Sequence, residues 1–203
     1  MQSPARNRVT PMGDIVAIPL RGAWLGNRGI LHRGRDVLRF HRSPLWIICA
    51  LQHRDWRLPQ WHPHHFTVLF FHDEAVALAA GHRPCALCRR GAYNEFRAAW
   101  TAGTGRARPL AFELDRQLHA ERLYRGTHRR RLHELRWSEI PSGAFVLADD
   151  GPALVADDAV VPWTHAGYGE RRARPRSGRI AMITPPSTAG ALRNGYRPQI
   201  GAG

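Results

Sequence analysis

An α+β fold is predicted for this chain, with a small α/β module in the first half, helices after it, and an antiparallel β-meander closed by a C-terminal helix. Two observations carry that prediction. Strand-length apolar runs at 45–51 and 66–71 flank a loop and lead into a short helical pattern at 73–81. From Gly143 the hydrophobic period shortens, with β-forming runs at 144–147, 153–155 and 160–163 separated by turn residues at 149–151 and 157–158. With 203 residues, 43% of them apolar, the chain can bury a real core.

In chain order, residues 1–12 are polar, carry Pro4 and Pro11, and read as a frayed arm. Residues 15–18 are strand-like. Residues 21–29 read as a turn-rich basic loop, whose glycines allow positive φ. With Arg21, Arg28, Arg33 and Arg35 it could touch phosphates or form a solvated hairpin. The run 45–51 reads as a central buried strand with Cys49 near its end, and 66–71 as a second strand. Between them, 54–65 mixes Trp56, Pro59, Trp61, Pro63 and histidines, which suits an ordered loop.

Asp73 is a good helix N-cap, because its carboxylate accepts from the first free amides. Ala75, Val76, Leu78 and Ala79 form that helix's apolar side, and Gly81 supplies its left-handed stop. Ala92, Tyr93, Phe96, Ala99 and Trp100 recur at helical spacing, which turns Arg89, Arg90 and Arg97 partly outward. Residues 101–109 read as a linker, and Phe112, Leu114, Leu118, Leu123 and Tyr124 as another helix. Arg129, Arg130 and Arg131 form the densest positive run, either a solvated face or a phosphate contact. After the meander come a basic loop at 171–179, a strand at 179–183 and a helix at 187–194. Residues 187–198 align without a gap on 73–84, each with a short helix, a stop glycine, a ring, Arg and Pro. The expected divisions are a basic arm and hairpin (1–40), a metal-binding module (41–100), a linker with a basic helix (101–135) and a C-terminal meander with a helix (136–203).

Net charge is +14, and all 30 basic residues are arginine. Such an excess favours polyanions through counterion release, which makes nucleic acid the first partner to consider. A GC-rich genome would produce the same Arg-for-Lys bias without any such role. Three cysteines cannot all pair, so metal or redox use in a reducing cytoplasm is expected rather than a disulfide framework. No apolar run approaches the length of about eighteen that spans a bilayer, and no membrane partner is expected.

Cys85 and Cys88, two residues apart, can give two thiolates to one tetrahedral zinc, a spacing that redox motifs share. Cys49 and His53 offer a second pair at the end of a strand. The predicted shell is therefore Cys49, His53, Cys85 and Cys88, with His62, His64, His65, His72 and His82 as competing nitrogen ligands. Cys49 could also be a plain buried apolar residue.

With Phe70-Phe71, the Ala-Leu-Ala-Ala of 77–80, Gly81-His82-Arg83-Pro84-Cys85 and Cys88, residues 45–90 resemble the N-terminal zinc domain of the bacterial Ada DNA-repair protein. The resemblance implies a zinc-binding, DNA-contacting module in which Cys49 would accept a methyl group from a methylphosphotriester. His53 stands where that family has a second cysteine, and His82 where it has phenylalanine. Four thiolates leave Zn2+ with a net charge of about −2; one imidazole in their place leaves about −1 and a poorer sulfur nucleophile. A structural zinc is therefore expected, with DNA contacted by Arg83, Arg89, Arg90, Arg97, Arg129, Arg130 and Arg131. Alternatives are methyl transfer to Cys49, a protein partner anchored by Trp24, Trp56, Trp61 and Trp163, and a nuclease built on His62, His64, His65 and Asp73.

Overall fold

The computed structural model describes residues 4–56, 59–105 and 107–201. Residues 1–3 of the expected arm, 57 and 58 of the expected loop and 106 of the expected linker lie outside them. In the first half the strands are β1 (Arg8–Val9), β2 (Ile15–Val16), β3 (Trp24–Asn27), β4 (His32–Arg33), β5 (Asp36–Val37), β6 (Ile47–Cys49), β7 (Leu69–Phe71) and, after helix α1 (Glu74–Ala79), β8 (Arg83–Pro84). Helices α2 (Arg90–Thr104) and α3 (Ala111–Arg122) follow. The second half holds β9 (His133–Arg136), β10 (Phe145–Ala148), β11 (Gly151–Ala156), β12 (Ala159–Thr164), β13 (Gly167–Tyr168), β14 (Arg172–Ala173), β15 (Arg179–Met182) and α4 (Pro186–Arg193).

The α+β class holds. Six strands form a mixed sheet in the order β2-β1-β7-β3-β6-β8, and β4 with β5 forms a separate hairpin. Strand β3, which pairs with both β6 and β7, occupies the stretch read as a turn-rich loop. Its glycine serves packing rather than turning, because a Cβ on Gly26 would meet the Phe71 ring at 2.5 Å. The meander is antiparallel as expected, in the order β13-β12-β11-β10-β15-β9, with β14 pairing β12. Strand β9 was not anticipated, and β14 lies inside the expected basic loop.

Asp73 caps α1 as predicted, its Oδ1 accepting from the Val76 amide at 2.8 Å. Gly81 and Gly195 end α1 and α4 at φ +88° and +99°. The aligned segments also close alike: the His82 amide donates to Ala77 O at 3.0 Å and the Tyr196 amide to Ala191 O at 3.1 Å. Helix α2 runs through the first four residues of the expected linker. Gly103 lets α2 meet α4, since a Cβ there would lie 2.8 Å from Gly190 O.

One hydrophobic cluster runs from Val9 to Tyr196 and draws on both large sheets and all four helices. The chain's last described turn is tied to the start of α1. Glu74, fully buried, accepts from Tyr196 Oη at 2.5 Å and the Gln199 amide at 3.1 Å, and pairs with Arg89 at 2.7 Å. Asp73 Oδ2 accepts from Tyr168 Oη at 2.7 Å and from the Gly201 amide at 3.0 Å.

Candidate metal centre

Parallel pairing of β6 with β8 builds the site. The register sets Ile47 beside Arg83 and Ile48 beside Pro84, so the next residues, Cys49 and Cys85, leave the sheet side by side. The Cys85 amide donates to Ile48 O at 2.9 Å and fixes that register. Pro84 suits an edge strand, because it has no amide to offer a further neighbour. The chain then turns through 85–89 into α2 and brings Cys88 back.

The three sulfurs lie within 4.8 Å of one another, close enough to hold one metal ion. Two backbone amides point at them, Leu87 N–H to Cys85 Sγ and Ala50 N–H to Cys88 Sγ, each at 3.4 Å. Such donors favour the thiolate form. Among themselves, the thiols compete for protons. Hydrogen bonds from Cys49 and Cys88 hold Cys85 down to about 2, and Cys49, as the donor, is pushed far above the usual thiol range. Three thiolates cannot ionise together at this separation without a cation to offset their repulsion.

His53 lies outside the tight sulfur group, yet it lines the same cavity of about 160 Å³ as Cys49, Cys85 and Cys88. Its Nε2 is buried and has no hydrogen-bond partner among the described residues. Most of the rest of the wall is apolar, with Ile47, Leu51, Phe66 and Leu87 among it and Asn27 as a polar member. This donor set fits a soft or borderline divalent ion such as zinc, with three thiolates from the sheet end and one orphaned imidazole nitrogen nearby.

Among the described residues, none of the competing histidines joins the sulfur group. His82 is buried against Phe71 and Trp46, and its Nε2 accepts from Arg28 Nε at 3.1 Å. Burial, and then Arg28 and Arg122, hold it well below the usual imidazole range, so it stays neutral. His72 packs on Tyr168. His62, half-buried, packs against exposed His65 with ring centroids 4.3 Å apart and planes tilted by 56°. Among the described residues, the three cysteines are the only group of three or more His, Cys, Asp or Glu side chains close enough to share an ion. Asp73 is therefore not joined to the loop histidines.

The arginines expected at a nucleic-acid surface divide into two sets. Arg83 is buried and bidentate to Asp115, at 2.8 Å for each contact. Arg89 is buried against Glu74, with its guanidinium 3.8 Å from the Trp24 ring centroid. Arg130 turns inward to the carbonyls of Ala79, Ala80 and Ile183. Arg90 and Arg129 are exposed, and Arg97 and Arg131 are half-buried. Of the tryptophans, Trp163 is core and Trp56 is the exposed one, at 54%.

The fold and site together describe an α+β chain with a three-thiol centre where parallel strands end. Comparisons with family models, curated proteins and solved structures find no match to it. No helix among the described residues is long and apolar enough to cross a membrane.

Proposed function

We propose that this chain is a zinc-binding protein that contacts nucleic acid, DNA first, with its zinc mainly structural. The single observation behind the metal is the gathering of Cys49, Cys85 and Cys88 within 4.8 Å, at the end of a sheet. His53 is the proposed fourth ligand, supported by its orphaned Nε2 in the same cavity. Four protein ligands close the shell, so the ion organises the fold instead of activating water. Likeness of residues 45–90 to the Ada zinc domain, and a net charge of +14, support the nucleic-acid part of the reading. On the basic run, exposed Arg129 and half-buried Arg131 are its contacts, joined by Arg90 and Arg97 on α2.

Elemental mass spectrometry of purified protein is expected to find one zinc per chain, lost in Cys49→Ser, Cys88→Ser and His53→Ala. Retention in His53→Ala alone would leave a three-thiolate site with an exchangeable fourth position.

Affinity for a DNA duplex is expected to fall linearly on a log–log scale with added salt, with a slope of about −0.9 per phosphate neutralised. Arg129→Ala with Arg131→Ala should flatten that slope by about one to two. A slope near zero for wild type removes the nucleic-acid reading and leaves the zinc centre standing.

A further inference from the structure

Three guanidiniums lie inside the molecule without a carboxylate. Arg28 and Arg122 are fully buried, and both bring their guanidinium carbon to 3.8 Å from the Trp46 ring centroid. Arg130 joins them at the C-terminal end of α1. Their hydrogen bonds go to neutral acceptors: Arg28 to Gly13 O and the His82 ring, Arg122 to Gly81 O, Pro44 O and the His119 ring, Arg130 to the carbonyls of Ala79, Ala80 and Ile183. Carbonyls satisfy N–H groups but do not neutralise three full charges, and a six-residue helix offers only a small dipole. Among the described residues no acid forms an ion pair with any of the three. The nearest acids are Asp14, which is exposed, and Asp115, already held by Arg83.

Part of this interior is unfinished. Among the described residues, Arg28 Nη2, Arg122 Nε and Arg130 Nε are buried and have no partner, and neither does Nδ1 of His41. His41 lies at the edge where the cluster approaches solvent, with His119 at 5.1 Å and His128 at 5.6 Å between ring centroids. Arg122 Nη2 reaches His119 Nδ1 at 3.1 Å and so links the interior to that edge. A metal does not suit these imidazoles: they are not close enough to share an ion, and the guanidiniums behind them repel one.

We propose that Arg28 and Arg122, with His41, His119 and His128 at the entrance, form a binding site for one tetrahedral oxyanion of the phosphate class, with Arg130 adding its charge from behind. One unpartnered nitrogen on each of three guanidiniums, a net charge of about +3 before any imidazole is protonated, and an entrance of proton-accepting rings together suit a multiply charged phosphate better than a carboxylate. The site uses none of the zinc ligands and stands whether or not zinc binds. Burial, followed by His119, His128, Arg122 and Arg28, pulls His41 down to about 4. A bound dianion would reverse that charge balance and raise it.

The test uses the whole 203-residue chain and three probes: inorganic phosphate, a 5′-phosphorylated oligonucleotide, and the same oligonucleotide without that phosphate. In buffer matched for ionic strength with chloride, inorganic phosphate is expected to raise the thermal midpoint saturably, by about 5–10 °C at about 100-fold excess over Kd. The doubly substituted variant His41→Gln with His119→Gln should lose at least ten-fold in phosphate affinity. In wild type, the His41 ring protons should report a raised pKa on phosphate addition, a readout that needs no variant. Tighter binding of the 5′-phosphorylated strand assigns the site to terminal phosphates, and equal binding of both strands, lost in the variant, assigns it to the backbone. No saturable stabilisation by inorganic phosphate in wild type overturns the proposal. An equal rise in a folded variant overturns it too.

Discussion

Cys88→Ser is expected to lower the thermal midpoint by about 10–20 °C, the equivalent of about 5 kcal/mol lost with the metal at 2–4 °C per kcal/mol for a chain of this size. The size follows from how little else holds this corner. Strand β8 spans two residues and meets β6 over two register pairs, Ile47 with Arg83 and Ile48 with Pro84. Beyond Cys49 the backbone runs through a long loop whose described backbone hydrogen bonds between 53 and 65 are local turns, such as Trp56 N–H to His53 O at 3.2 Å, until Thr67 N–H ties to Gly29 O at 3.0 Å. An ion bound by Cys49, His53, Cys85 and Cys88 would fasten the loop's beginning and the start of α2 at one point. Without it, three sulfurs are left to share protons within 4.8 Å.

Wild type stripped by a chelator should melt where Cys88→Ser melts. The midpoint of the variant should not respond to added zinc. Hydrogen exchange should rise first in 47–56 and 85–90, and stay slow in the β10-β11-β12 meander, whose register pairs lie far along the chain from the thiols. A chelated wild type that melts with the untreated protein would show that zinc contributes nothing to this fold.

The thiol cluster was legible in the sequence because Cys85 and Cys88 stand at a short local spacing and Cys49 stands near the end of an apolar run, and β6 and β8, which carry Cys49 and lead into Cys85, are paired. Asp73 and Gly81 were legible for the same reason, since caps and stops act within one turn of the chain. What stayed hidden depends on distant partners. The glycine in β3 looks like a turn residue until Phe71 is laid across it, and Gly103 like a linker until α4 meets it. Arginine was the hardest residue to read. A guanidinium is usually solvated, so Arg83, Arg89 and Arg130 were placed on the surface with Arg129. Their burial is decided by Asp115, by Glu74, and by the carbonyls that end α1, which lie 32, 15 and about 50 residues away. His82 belongs to the same pattern, because its Nε2 gives Arg28 an acceptor inside the core.

Glu74→Ala carries the second large expected effect, a loss of about 3–5 kcal/mol, because it leaves a buried cation without its anion. The Arg89 side chain is 7% exposed and Glu74 1%, so water cannot replace the lost carboxylate. Tyr196 Oη and the Gln199 amide lose their acceptor in the same step, and burial together with Glu74 already holds that phenol well above the usual tyrosine range. The Trp24 ring beneath Arg89 offers some compensation, worth about 1–2 kcal/mol at a desolvated site. Glu74→Gln keeps an acceptor and removes the charge, so it should fall between wild type and Glu74→Ala. Arg89→Met introduced into Glu74→Ala should recover part of the loss by removing the orphaned charge, and this sign separates charge burial from lost packing. Arg172 and Asp150 are the internal control: an ion pair at 2.6 Å with both partners well exposed, whose removal should change stability by at most about 1 kcal/mol. Equal effects at the two pairs, measured by denaturant titration, would contradict the role assigned to Glu74 as the tie between α1, α2 and the chain's last described turn.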